Sequence, residues 1–146
     1  MSPKPTTVVA VFTTAVTKEN VQPLYASQPA AGFPAPGDDQ VEESLNIHDL
    51  VVKNPTATFF VRVQGDSMEG IGIFSSDVLV VDRSRTPKDG SIVVAAVYGE
   101  LVVKRVTLHR NSMQLVSENE QYEPIVVNES EECYIWGVVV GSVRTF

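Results

Sequence analysis

The chain of 146 residues carries one cysteine, Cys133, and two histidines, His48 and His109. A lone cysteine closes no intrachain disulfide. One thiol and two imidazoles make no zinc constellation, so no metal and no cofactor is expected. Cys133 sits in an apolar strand-like run and reads as a small buried hydrophobe rather than a reactive thiol. Basic residues are scarce and scattered: 11 Lys and Arg stand against 18 Asp and Glu, a net charge of −7. Such a chain is repelled by phosphate backbones, and direct DNA binding is not expected. Also missing is an apolar run near the roughly 20 residues that span a bilayer, so no membrane is expected. Val8-Val9-Ala10-Val11-Phe12 after Lys4, with Pro29-Ala30-Ala31 later, faintly imitates a secretory signal. The run is short, threonines flank it, and Lys18-Glu19-Asn20 follows before the alanines, so a cytoplasmic location is the expectation. There is no internal repeat and no low-complexity block.

What is present is enough apolar material for a core, 43% of residues, in a chain of single-domain length. Residues 1–43 read as an extended, proline-rich N-terminal tail, with Pro23-Leu24, Gln28-Pro29 and Phe33-Pro34-Ala35-Pro36-Gly37. Residues 44–146 read as the folded domain. A short helix is expected over Leu45–Lys53, capped by Asn46, with Asp49 in its first turn and Asn54-Pro55 ending it. Short strands follow at Thr58–Val63, Val78–Asp82, Ile92–Val97, Leu101–Val106, Met113–Leu115, Ile125–Val127 and Tyr134–Val140. Turns at Lys88-Asp89-Gly90 and Tyr98-Gly99-Glu100 separate them, the second as a hairpin. This predicts a mostly β fold, a curled and largely antiparallel structure with one short helix.

Two segments carry chemistry. Gly65-Asp66-Ser67-Met68 places a serine in a glycine-opened turn after an apolar strand. Leu101-Val102-Val103-Lys104-Arg105-Val106 places a lysine in a strand that is otherwise nearly all apolar. Alternation sets Val102, Lys104 and Val106 on one face and Leu101, Val103 and Arg105 on the other. A lysine among valines tends to lose its proton, whereas arginine stays charged, so only Lys104 suits a base. A neutral lysine amine can take the proton of a serine hydroxyl and make it a nucleophile. Taken singly, Ser67 is an ordinary loop or cap residue, and Lys104 is a strand lysine with a packed stem and a solvated head. A rival Ser-His-Asp triad would draw on His48 or His109 with Asp49, Asp66 or Asp82, but nothing in the sequence ties either histidine to Ser67. Gly65, Gly70 and Gly72 match no phosphate-cradling loop and serve the tight turn around Ser67.

Phe60–Met68, Ser76–Asp82, Asp89–Ala95 and Val102–Arg105 together resemble, in order and spacing, the self-cleaving domain shared by LexA-type repressors and UmuD-type mutagenesis proteins. The resemblance is closer to the UmuD type and spans roughly residues 28 to 140. One departure is Ser75-Ser76 before Asp77, where the family often has a glycine; it alters a turn. The resemblance implies the LexA/UmuD C-terminal fold, with Ser67 as nucleophile, Lys104 as general base, and the backbone N–H groups of Asp66 and Ser67 as the oxyanion hole. Ala30-Ala31-Gly32-Phe33-Pro34 resembles the self-cleavage segment of UmuD-type chains, which implies a cut between Ala31 and Gly32. It also implies a DNA-damage-response autoprotease provoked by a RecA–single-stranded DNA filament. Its shortened homodimeric product would join a UmuC-type, error-prone translesion polymerase. No helix-turn-helix pattern precedes the protease-like region, which separates the chain from a LexA-type repressor. The alternatives are a non-enzymatic partner-binding module of the same fold, a signal-peptidase-like enzyme, and a truncated LexA-like regulator.

Overall fold

The computed structural model describes residues 4–14, 21–25, 41–118, 124–127 and 132–146. The chain divides into two compact units, residues 15–53 and a larger one made of residues 1–14 with 54–146.

In the smaller unit, β2 (Val21–Tyr25) pairs antiparallel with β3 (Val41–Asn46). Helix α1 (Ile47–Val51) follows directly. Asn46 caps it as expected, its side chain accepting the N–H of Asp49. Asp49 places negative charge in the first turn, where it complements the exposed N–H groups. Ala31 and Gly32, the expected cleavage site, lie outside the described residues.

The larger unit is a curled antiparallel sheet. Its strands are β1 (Thr7–Thr13), β4 (Thr58–Gln64), β5 (Val78–Asp82), β6 (Ile92–Val97), β7 (Glu100–His109), β8 (Ser112–Val116), β9 (Ile125–Val127) and β10 (Cys133–Val143). They lie in the order β1-β4-β5-β10-β6-β7-β8-β9, and β1 also pairs with β7, which closes the curl into a barrel-like ring. The long strand β10 makes this possible. Its first half pairs with β6 and its second half with β5, with register irregularities at Ile135/Gly137 and Val139/Gly141. Bulges of this kind bend a strand and raise its twist. At Gly137 a Cβ would strike the Val81 side chain, so glycine is required where the strands close up.

The strands expected at 78–82, 92–97 and 125–127 occur with those bounds, and the other four extend their expected ranges by a few residues. The two-residue hairpin turn is Tyr98-Gly99, with Val97 opposite Glu100. Residues 7–13, within the segment read as tail, form β1 and pair with β4 over six positions. Strands β6 and β7 bury side chains on both faces, which explains the unbroken apolar run of β6 and the largely apolar one of β7. On one face Val94 and Val103 join Val61, Val63, Met68, Leu79 and Val81. On the other, Val93, Ala95, Val102 and Val106 join Leu115, Cys133 and Val138.

Candidate functional site

Ser67 stands three residues beyond the end of β4. Gly65 turns the chain there with φ +112°, a conformation that side chains with a Cβ rarely adopt. A Cβ at this position would also run into the Pro5 carbonyl and the Thr6 Cα. After the turn, Met68 is fully buried in the first core cluster and residues 69–71 form a single 3-10 turn. This anchor holds Ser67 in the interior, at 3% exposure.

Lys104 lies in β7 opposite Val93. It shares a face with Val102 and Val106 and is 6% exposed. Burial pushes its pKa below the ordinary lysine value, because the ammonium loses hydration there. Its Nζ donates a hydrogen bond to Ser117 Oγ, also buried. Ser117 follows β8, whose Val116 pairs with Arg105. The next antiparallel position sets Ser117 across from Lys104. Sequence reasoning missed this residue; the signal was the β7–β8 register, which brings Leu115 and Ser117 to the Lys104 side of the hairpin.

The amides of Asp66 and Ser67 converge on one acceptor. Both donate to the Lys4 carbonyl oxygen, at 3.0 and 3.1 Å. Two N–H groups aimed at one oxygen are an arrangement able to hold a developing oxyanion. The Lys4 N–H in turn donates to Asp66 Oδ1. Thr6, 1% exposed, touches both the Ser67 turn and the β7 backbone. Its N–H donates to Ser67 Oγ at 2.8 Å, and its Oγ1 accepts from the same hydroxyl at 3.1 Å. Its carbonyl accepts the N–H of Val103, the residue before Lys104, at 3.0 Å. The expected Ser67 and Asp66 thus contact the segment Lys4-Pro5-Thr6, which the sequence did not mark, and Thr6 also bonds the β7 backbone at Val103, beside Lys104.

The histidines stand elsewhere. His109 is exposed at the end of β7, its backbone paired with Ser112. His48 is on α1 with its Nδ1 3.8 Å from Asp49. Asp82 is occupied by Asn54 and Ser84. Cys133 is buried, and the loss of hydration pushes its thiol pKa up. Among the described residues no cluster of three or more His, Cys, Asp or Glu side chains is placed to hold a metal ion. None of the described helices is long and apolar enough to cross a membrane.

The Peptidase S24-like family profile matches residues 23–140. Protein MucA of Salmonella typhimurium is 43% identical over 122 residues, which cover 83% of each chain. Protein ImpA of Shigella flexneri is 39% identical over 120 residues, 82% of this chain and 81% of its own. Protein SamA of Salmonella typhimurium strain LT2 is 38% identical over 126 residues, 86% of this chain and 87% of its own.

Proposed function

The chain belongs to the Peptidase S24-like family, and from that membership we propose that it is a serine peptidase that cuts its own N-terminal segment between Ala31 and Gly32. Ser67 is the nucleophile, Lys104 the general base, and the amides of Asp66 and Ser67 the oxyanion donors. The observation that carries this reading is the meeting of those two amides on a single carbonyl oxygen beside a buried serine hydroxyl.

The steps follow from the groups present. With its pKa lowered by burial, Lys104 offers a neutral amine at a lower pH than a solvated lysine. The amine takes the Ser67 proton as Oγ bonds to the Ala31 carbonyl carbon. The carbonyl oxygen gains the negative charge, and the amides of Asp66 and Ser67 stabilise it. The C–N bond to Gly32 breaks, and the lysine ammonium returns its proton to the departing amine. Water then attacks the Ala31–Ser67 ester, again with Lys104 accepting a proton, and frees the serine. Tethering of the substrate segment to the same chain removes much of the entropy cost of bringing it to the site. Ser117 holds the Lys104 amine in place.

In this reading the shortened chain, residues 32–146, forms a homodimer that serves a UmuC-type translesion polymerase. A RecA–single-stranded DNA filament provokes the cut. Support comes from the family membership and from relatives that align over four fifths of the chain.

Intact-mass measurement after incubation at alkaline pH tests the chemistry. The expected result is one cut, between Ala31 and Gly32, abolished in Ser67→Ala and Lys104→Ala. Removal of either member of a nucleophile–base pair costs about 10⁴-fold or more. A cut that persists in Ser67→Ala would overturn the assignment.

A further inference from the structure

We propose that the groove between β4 and β7 is a binding site for an extended peptide, and that its resident ligand is the chain's own Lys4-Pro5-Thr6. The segment lies there in the register of a substrate but presents a bond that is not cut. The proposal rests on the reading of Ser67 as nucleophile and adds how that site is kept silent.

Every backbone hydrogen-bonding group of Lys4 and Thr6 is engaged by the groove. Lys4 N–H reaches Asp66 Oδ1, and Lys4 C=O receives both amides of residues 66 and 67. Thr6 N–H reaches Ser67 Oγ, and Thr6 C=O receives Val103 N–H. Pro5 has no N–H to place, and its carbonyl packs on Gly65, where a side chain would exclude it. Recognition is through the main chain, the mode by which an added strand is read at a sheet edge. Beyond residue 6 the segment continues as β1 along β4, so seven strand residues clamp it in place.

With the Lys4 carbonyl between the two amides, the bond presented to Ser67 is Lys4–Pro5. Its nitrogen carries the proline ring instead of a hydrogen, which crowds the atom that must be protonated as it leaves. The hydroxyl is also diverted. Ser67 Oγ accepts from Thr6 N–H and gives its own proton to Thr6 Oγ1. The amides meant for an Ala31 oxyanion are filled by Lys4. Ala31–Gly32 enters only after residues 4–6 leave, so displacement of β1 sets the rate of the cut.

The test uses the full-length chain, wild type beside Thr6→Pro and Val11→Pro. The first removes the N–H on Ser67 Oγ. The second breaks β1 at a half-exposed position away from the site, in case the first perturbs the fold. Two quantities are read: amide hydrogen exchange at Asp66 and Ser67, and the rate of the Ala31–Gly32 cut by intact mass. Both are expected to rise about tenfold or more in the variants, the effect of losing one or two backbone hydrogen bonds. Exchange at these amides that is as fast in the wild type as in both variants would overturn the proposal. So would a faster exchange with no faster cut. If no form cuts at Ala31–Gly32, the assigned peptidase activity fails, while the exchange data still decide whether residues 4–6 fill the groove. In a chain that does cut itself, Pro5→Ala is expected to add a product lacking residues 1–4. A self-cutting Pro5→Ala chain without that product would overturn the substrate-like register.

Discussion

Ser76 has φ 75°, the left-handed region that glycine tolerates and serine does not favour. It stands just before Asp77, where the resembled family often has a glycine. Its N–H and C=O are both engaged, by Val63 O and the Arg62 guanidinium, so the conformation is enforced from outside. Ser76→Gly is expected to raise stability by about 0.5–1 kcal/mol, the relieved strain less the added freedom of the unfolded chain. Urea unfolding measures this; a loss of stability would show that the serine side chain matters more than its φ. Ser117 makes a second point at this scale. Its oxygen accepts from the Lys104 ammonium and so favours the charged form, against the effect of burial. In Ser117→Ala the Lys104 side chain loses one of its hydrogen-bond partners. The self-cutting plateau is expected to fall about tenfold, roughly one charge-assisted hydrogen bond, with the pH midpoint moving down. Ser117→Thr restores both. An unchanged midpoint in the alanine variant would make Ser117 a packing residue only.

At the scale of the element, the β6–β7 hairpin turns on Tyr98 and Gly99, both with positive φ, at 50° and 82°. A two-residue turn of this hand matches the twist of the strands and favours Asn-Gly. Tyr98 is 76% exposed, so little packing is at stake. Tyr98→Asn is expected to add about 0.5–1 kcal/mol and raise the melting temperature by a few degrees. A lower melting temperature would mean that the tyrosine ring contributes where it lies. The hairpin also shows what was legible in the sequence. Strands β5, β6 and β9 could be bounded because apolar runs ended at turn residues; for α1 the Asn46 cap was legible, but the helix spans Ile47–Val51 and not the expected Leu45–Lys53, residues 45 and 46 belonging to β3. Ser67 and Lys104 stood out as a glycine-opened serine and a lysine among valines. The placement of Lys4-Pro5-Thr6 was not legible, because apart from Thr6 Oγ1 on the Ser67 hydroxyl its contacts are made by its backbone atoms, which any sequence supplies. Ser117 was hidden for another reason: an isolated serine after a strand gains meaning only when the β7–β8 register sets it opposite Lys104. The β2–β3 pairing was obscured by Pro23, which argues against a strand interior yet is accommodated in a two-stranded sheet.

At the scale of the whole molecule, two buried ionisable groups tilt stability in pH windows at opposite ends of the scale. Asp77 has its pKa lowered, chiefly by the hydrogen bond from Arg144, which ties the C-terminal residues to the start of β5. Its contribution is present above the ordinary carboxylate pKa and is lost as acid protonates the folded form. For Lys104 the ionised form is a cost instead of a gain, although its lowered pKa likewise makes stability rise with pH. Burial lowers its pKa, so below that value the folded chain must hold an ammonium inside the sheet, and the penalty is complete. As pH rises from the lowered value toward about 10.4, where a solvated lysine titrates, the unfolded chain keeps a proton that the folded chain has released. The unfolded state then binds more protons, and stability rises with pH. Lys104→Met keeps the length of the side chain and removes the charge. It is expected to be more stable than the wild type at neutral pH, with the difference shrinking as pH rises through that window. Urea unfolding at several pH values from 6 to about 10 measures the difference. A gap that stays constant across the range would mean that Lys104 is charged alike in folded and unfolded chains, which would remove it as a base at the same time. A residue that destabilises the resting fold in the same pH range where it must give up its proton is what a base buried for catalysis requires.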